Sequence, residues 1–115
     1  DLAMVERAGQ GALRNQLTNT EYHVKDLTQP DATDTWFNAR YEKVLLDPPR
    51  SGAQEIVQLI DRFNASRIVY VSCQASSLVR DAGIICNRGY KLSHIGVMDM
   101  FPQTAHIEAM AIFEA

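Results

Sequence analysis

The chain has 115 residues, 11 basic and 14 acidic, a net charge of -3, and an apolar content of 46%. That length allows one domain with a modest core, and the slight acid excess does not advertise a basic nucleic-acid surface. No apolar stretch approaches a membrane span, the N-terminus is no signal peptide, and two cysteines are too few for a secreted disulfide scaffold, so a cytoplasmic chain is expected.

Apolar residues recur at Leu2, Val5, Ala8, Ala12, Leu13 and Leu17, the spacing of an amphipathic helix. The helix starts without an evident cap, as if the chain were cut from a longer protein. Gly9 and Gly11 lie within it, but a dinucleotide loop would need a third glycine where Arg14 stands and a strand before it. Glu21 to Lys25 reads as a short strand ending at Asp26, and Gln29 to Asn38 as a polar loop. Tyr41 to Leu46 reads as a second strand, stopped by Asp47-Pro48-Pro49 because proline cannot donate to a ladder.

Ser51 and Gln54 form a capping-box pattern ahead of a helical stripe of Ala53, Ile56, Val57, Ile60 and Phe63. Ile68-Val69-Tyr70-Val71 has no polar break and ends at Ser72-Cys73, which predicts a central parallel strand covered on both faces. Ser76 or Ser77 can cap the next helix, whose stripe is Leu78, Val79, Ala82, Ile85 and Cys86. Cys86 is therefore expected as a small buried hydrophobe, and Gly89 fits the helix end. Tyr90 to Phe101 and His106 to Phe113, joined by a short break, predict an antiparallel hairpin. The fold class is α/β, a single domain over 1–115, with a mostly parallel sheet and one reversed strand in the terminal hairpin.

Ligands in such sheets lie beyond the carboxyl ends of the strands. Asp47 and Cys73 end parallel strands, and Glu108 begins the reversed strand at that same edge. A thiol and two carboxylates should converge there. Each has a blander reading: a packed cysteine, a turn aspartate, a solvated glutamate. A redox thiol would need a second cysteine in a C-x-x-C pattern, which Cys73 lacks. No metal site is expected.

Three stretches resemble one family. Leu45-Leu46-Asp47-Pro48-Pro49-Arg50-Ser51-Gly52 is similar to motif IV of RNA (uracil-C5)-methyltransferases, and Tyr70-Val71-Ser72-Cys73-Gln74-Ala75 to their nucleophile motif, with Gln-Ala where Asn-Pro is usual. Asp99 to Glu108 is similar to their closing motif, and its Met-Asp-Met-Phe-Pro wording most resembles the branch acting on 23S ribosomal RNA.

The resemblance implies a Rossmann-like S-adenosylmethionine-dependent fold. It implies Cys73 as nucleophile, Glu108 as general base, and Asp26 and Asp47 as cofactor contacts. It also implies RNA as substrate, ribosomal more than transfer. The family's glycine-rich cofactor loop, its first two strands and, in the ribosomal branch, cysteines for an iron–sulfur cluster are not in these residues. The 115 residues alone are thus expected to hold the cofactor weakly and to cover an open edge at Tyr41–Leu46 by self-association or by rearranging the N-terminal helix. The competing expectation is a non-catalytic α/β module that binds RNA or a protein.

Overall fold

The computed structural model describes residues 1–99, 103 and 106–115. The expected end of the long strand at Phe101 and most of the break after it lie outside them.

Helix α1 spans Leu2–Arg14. It does have a cap, contrary to expectation: the Asp1 carboxylate accepts from the Ala3 and Met4 amides at 2.9 and 3.4 Å. These are amides that a helix start leaves without intrahelical partners. The strand expected at Glu21–Lys25 is not formed, and all five residues are exposed. A strand needs a neighbour to satisfy its backbone groups, and none of the described strands pairs with this stretch.

The loop that follows is less polar than its composition suggests. Phe37 is fully buried, with ring centroids 5.3 Å from Trp36 and 5.0 Å from Phe63. The Tyr41 hydroxyl donates to the Trp36 carbonyl at 2.7 Å and ties the loop to the start of the sheet.

Strands β1 (Lys43–Leu46), β2 (Arg67–Ser72), β3 (Lys91–Met98) and β4 (Glu108–Glu114) form one sheet in the order β1-β2-β4-β3. β1 runs parallel to β2, while β4 is antiparallel to both β2 and β3. The reversed strand is therefore inserted inside the sheet, so one of the three pairings is parallel.

The single helix expected between β1 and β2 is split into α2 (Gln54–Val57) and a 3-10 turn (Ile60–Phe63). Its stripe still faces inward, with Ile56, Val57, Ile60 and Phe63 buried. Each such side chain contributes roughly 1.5–3 kcal/mol. The capping box does not form. The N-cap is Ala53, whose amide instead donates to the Asp81 carboxylate at 2.7 Å.

Helix α3 (Ala75–Asn87) supplies that aspartate. Its N-cap is Gln74, not a serine, and the Gln74 amide donates to Ser72 Oγ at 3.0 Å. The inward face is Ser77, Leu78, Asp81 and Ile85. Val79 and Cys86 are exposed, which corrects the expectation of a buried Cys86. The helix is turned so that two polar residues, Ser77 and Asp81, can reach the loop before α2. Gly89 follows with φ +100, as its place at the helix end predicts.

The core lies between the helices and one face of the sheet, where Ile68, Tyr70, Ala111 and Phe113 are buried. On the other face Leu45 is exposed and Val69, Val71, Met110 and Ile112 are half-buried. The central strand is thus not covered equally on both faces.

Candidate active site

The sheet register brings the candidate groups together. Ser72 pairs with Ala109, and Met98 pairs with Glu108. One step beyond Ser72, the register sets Cys73 opposite Glu108. Val69 and Val71 oppose Ile112 and Met110, so alternation assigns Cys73 and Glu108 to that same face. The parallel register of β1, with Leu46 beside Tyr70, brings Asp47 to the same edge.

Cys73 and Glu108 line one cleft of about 270 Å3, together with Arg50, His106 and Ile107. Cys73 is exposed. Glu108 Oε2 is buried and, among the described residues, has no hydrogen-bond partner. Leaving a buried polar atom so costs roughly 1–3 kcal/mol, more when it is charged. The cleft therefore holds an acceptor beside an accessible thiol. Across it, Arg50 Nη2 lies 3.5 Å from His106 Nδ1.

A second cleft of about 570 Å3 is lined by Asp26 and Asp47 with Val24, Leu27, Pro48 and Gly52 among its walls. Asp26 does not end a strand, as expected, but opens a turn. Its Oδ1 accepts from the Thr28 hydroxyl at 2.6 Å and the Thr28 amide at 3.0 Å. Those two bonds, the hydroxyl first, hold the Asp26 carboxyl below its ordinary range.

So the three groups expected to converge divide between two clefts. Cys73 and Glu108 share one; Asp47 lines the other with Asp26. The segment Asp47–Ala53 borders both, with Arg50 in the first cleft and Asp47, Pro48, Pro49, Ser51, Gly52 and Ala53 in the second. Sequence pattern alone assigns Arg50 and His106 no role, although Arg50 stands in the Leu45–Gly52 motif and His106 in the Asp99–Glu108 motif. Their signal was position: Arg50 follows the two prolines that end β1, and His106 precedes Glu108 by two residues. Among the described residues, no group of three His, Cys, Asp or Glu side chains could hold a metal ion, and no helix is long and apolar enough to cross a membrane.

A mixed α/β sheet with clefts at the strand ends is an architecture that many α/β proteins share. The chain superimposes on M. jannaschii TYW2, solved in complex with AdoMet, with a TM-score of 0.63 at 14% identity, over 96% of this chain and 52% of that one. It superimposes on the delta-N METTL16 methyltransferase domain with a TM-score of 0.54 at 10% identity, over 96% and 56%.

Sequence comparison is more specific. The profile of the tRNA (uracil-5-)-methyltransferase family matches residues 14–115, and the chain belongs to that family. It is 51% identical over 112 residues to the 23S rRNA (uracil(1939)-C(5))-methyltransferase RlmD of Alcanivorax borkumensis, covering 97% of this chain and 25% of the relative. It is 53% identical over 111 residues to the RlmD of Methylococcus capsulatus, covering 96% and 25%. The chain thus spans about a quarter of the length of these relatives.

Proposed function

We propose that this chain carries the nucleophile and the base of an RNA (uracil-C5)-methyltransferase acting on large-subunit ribosomal RNA in the cytoplasm. The ribosomal substrate rests on the relatives' names. The chemistry rests on one observation: the buried Glu108 Oε2, without a hydrogen-bond partner among the described residues, lies in the same cleft as the exposed Cys73.

Uracil C5 is too weak a nucleophile to take a methyl group unaided. Addition of the Cys73 thiolate at C6 forms an S–C6 bond and moves the C5–C6 π electrons toward C5 and the ring carbonyl. Arg50, in the same cleft, is the cation for the charge that develops there. Once C5 is methylated, Glu108 removes the C5 proton, the electron pair re-forms C5–C6, and the Cys73 thiolate leaves. The target uracil must be unstacked to enter such a cleft.

The Asp26–Asp47 cleft fits S-adenosylmethionine in kind. Its carboxylates suit a cationic ligand, and Val24, Leu27 and Pro48 offer an apolar wall. When bound, that cofactor supplies the electrophilic methyl group. Asp47, at the strand end nearer Cys73, is assigned to the reacting end and Asp26 to the far end. The outer edge of β1, where Leu45 is exposed, supports a further part of the reading. On their own, the 115 residues cover that edge by self-association or by rearranging α1, and hold the cofactor weakly.

Trapping with RNA containing 5-fluorouridine tests the reading in a full-length protein carrying this chain. Fluorine at C5 cannot be removed as a proton is, so the covalent adduct persists. Mass spectrometry should find the adduct on Cys73, none in Cys73→Ala, and, with ordinary uridine RNA, an accumulating adduct in Glu108→Gln. An adduct in Cys73→Ala moves the nucleophile elsewhere. No adduct in the parent protein returns the chain to a non-catalytic α/β module that binds RNA or a protein.

A further inference from the structure

The segment Asp47–Ala53 separates the two clefts, and its place is set by a residue that lines neither. Asp81 lies on the inward face of α3 and is 0% exposed. Its Oδ2 accepts from the Ala53 amide at 2.7 Å and the Tyr70 hydroxyl at 2.5 Å. Its Oδ1 accepts from Arg80 Nε at 2.9 Å, and Arg80 Nη2 reaches on to the Ser51 carbonyl at 2.8 Å. The Ser77 hydroxyl donates to the Arg50 carbonyl. Backbone groups of Arg50, Ser51 and Ala53 are therefore all gripped by side chains of one helix.

Gly52, in the middle of this grip, has φ +80. A Cβ there would lie 2.6 Å from both Asp81 Oδ2 and Arg80 Nη2, and 3.1 Å from Ser77 Cβ. The loop and helix meet with no room for a methyl group. Burying a carboxylate is expensive unless it is paired and hydrogen-bonded. The unused serine of the capping-box pattern could have capped α2 without one. A serine hydroxyl, however, could not hold Ala53 and, through an arginine, Ser51 at once.

We propose that Asp81, with Arg80 and Ser77, is a positioning device for methyl transfer. It fixes the Arg50–Ala53 backbone so that Arg50 stays in the Cys73–Glu108 cleft while Asp47 and Ser51 stay in the Asp26 cleft. The spacing between methyl donor and attacked ring is thereby held constant. What the clefts bind rests on the function proposed above; that the loop is held by Asp81 does not.

The test uses the full-length protein carrying Asp81→Asn, Gly52→Ala or Ser77→Ala. The control is Tyr90→Phe, which removes a buried 2.7 Å bond to the Ala65 carbonyl and leaves the loop's partners in place. Melting temperature, hydrogen exchange of the Ala53 amide, and kcat and KM for RNA are compared. A misplaced loop should slow the chemical step on the order of tenfold or more in Asp81→Asn and Gly52→Ala, with KM changed less than about threefold. Ala53 exchange should quicken on the order of tenfold in the same variants, since its acceptor is weakened or displaced.

Ser77→Ala keeps the buried charge intact and should change both in the same direction by about threefold, so it decides the matter if the other two fail to fold. Tyr90→Phe should lower the melting temperature and leave both readouts unchanged. If variants matched to Tyr90→Phe in melting temperature also match it in kcat and in Ala53 exchange, Asp81 is a stability residue only and the inference is overturned. A parent protein that transfers no methyl group would refute the proposed function, while Ala53 exchange would still decide whether Asp81 holds the loop.

Discussion

The two clefts are built differently, although one loop borders both. Cys73 and Glu108 stand at the ends of β2 and β4, which pair over Arg67–Ser72 and Ala109–Glu114. The Asp26–Asp47 cleft has one wall at the end of β1 and the other in the exposed turn at Val24–Thr28. That turn is held by local bonds within Asp26 and Thr28. Groups that must meet a reacting atom need placement to within roughly 0.5 Å, which paired strands supply better than turns. Groups that bind through charge and contact area tolerate more.

The sharpest way to break this comparison is to cross the roles. Cys73→Ala should reduce methyl transfer on the order of a thousandfold or more, because the alternative is an unactivated C5. It should leave S-adenosylmethionine affinity within about twofold, because Cys73 does not line the second cleft. Calorimetry and a single-turnover assay on the same preparation measure both. An equal loss of affinity in Cys73→Ala would mean that the two clefts are one site.

A smaller effect separates the two walls of the Asp26–Asp47 cleft. Asp47→Ala should weaken S-adenosylmethionine on the order of tenfold, the size expected for a hydrogen bond to a charged group. Asp26→Ala should weaken it by only about threefold, since Asp26 is fully exposed and screened by solvent. If Asp26→Ala has the larger effect, the turn holds the cofactor more tightly than the strand end, and the contrast drawn above reverses.

This difference in construction also explains what could be read from the sequence. Asp47, Cys73 and Glu108 were legible because each marks a strand end. Prolines stop β1, a serine and cysteine close an apolar run at β2, and a short break precedes β4. Local pattern misled where a partner from far along the chain decided the outcome. Tyr22 and Val24 alternate with polar residues as a strand would, yet no described strand pairs with them. Ser51 and Gln54 spell a capping box, but α2 starts after Ala53 with no side-chain cap bond, and the Ala53 amide goes to Asp81, 28 residues away. Cys86 falls on an apolar helical stripe, yet α3 turns Ser77 and Asp81 inward and leaves it exposed. Two polar residues with partners in the loop before α2, rather than the apolar stripe alone, decide which face of α3 turns inward.

The smallest expected effect concerns the turn itself. The Asp26 carboxylate takes two bonds from Thr28, of which the hydroxyl contributes more to lowering its pKa than the amide does. Hydrogen bonds to the charged form favour that form, so the native carboxyl titrates below its ordinary 3.8. What these bonds add is present above that pH and lost as pH falls through the lowered native value. Thr28→Val removes the hydroxyl and keeps the amide and the β-branched shape, so the midpoint should move up part of the way toward 3.8. Because Asp26 is fully exposed, the melting temperature near neutral pH should barely change. Carbon-detected NMR titration of the Asp26 carboxyl in the two proteins reads the midpoint directly. An unchanged midpoint would show that the Thr28 hydroxyl does not organise this wall of the cleft in solution, and the turn would then rest on the Thr28 amide bond to the carboxylate and the Gln29 amide bond to the Asp26 carbonyl.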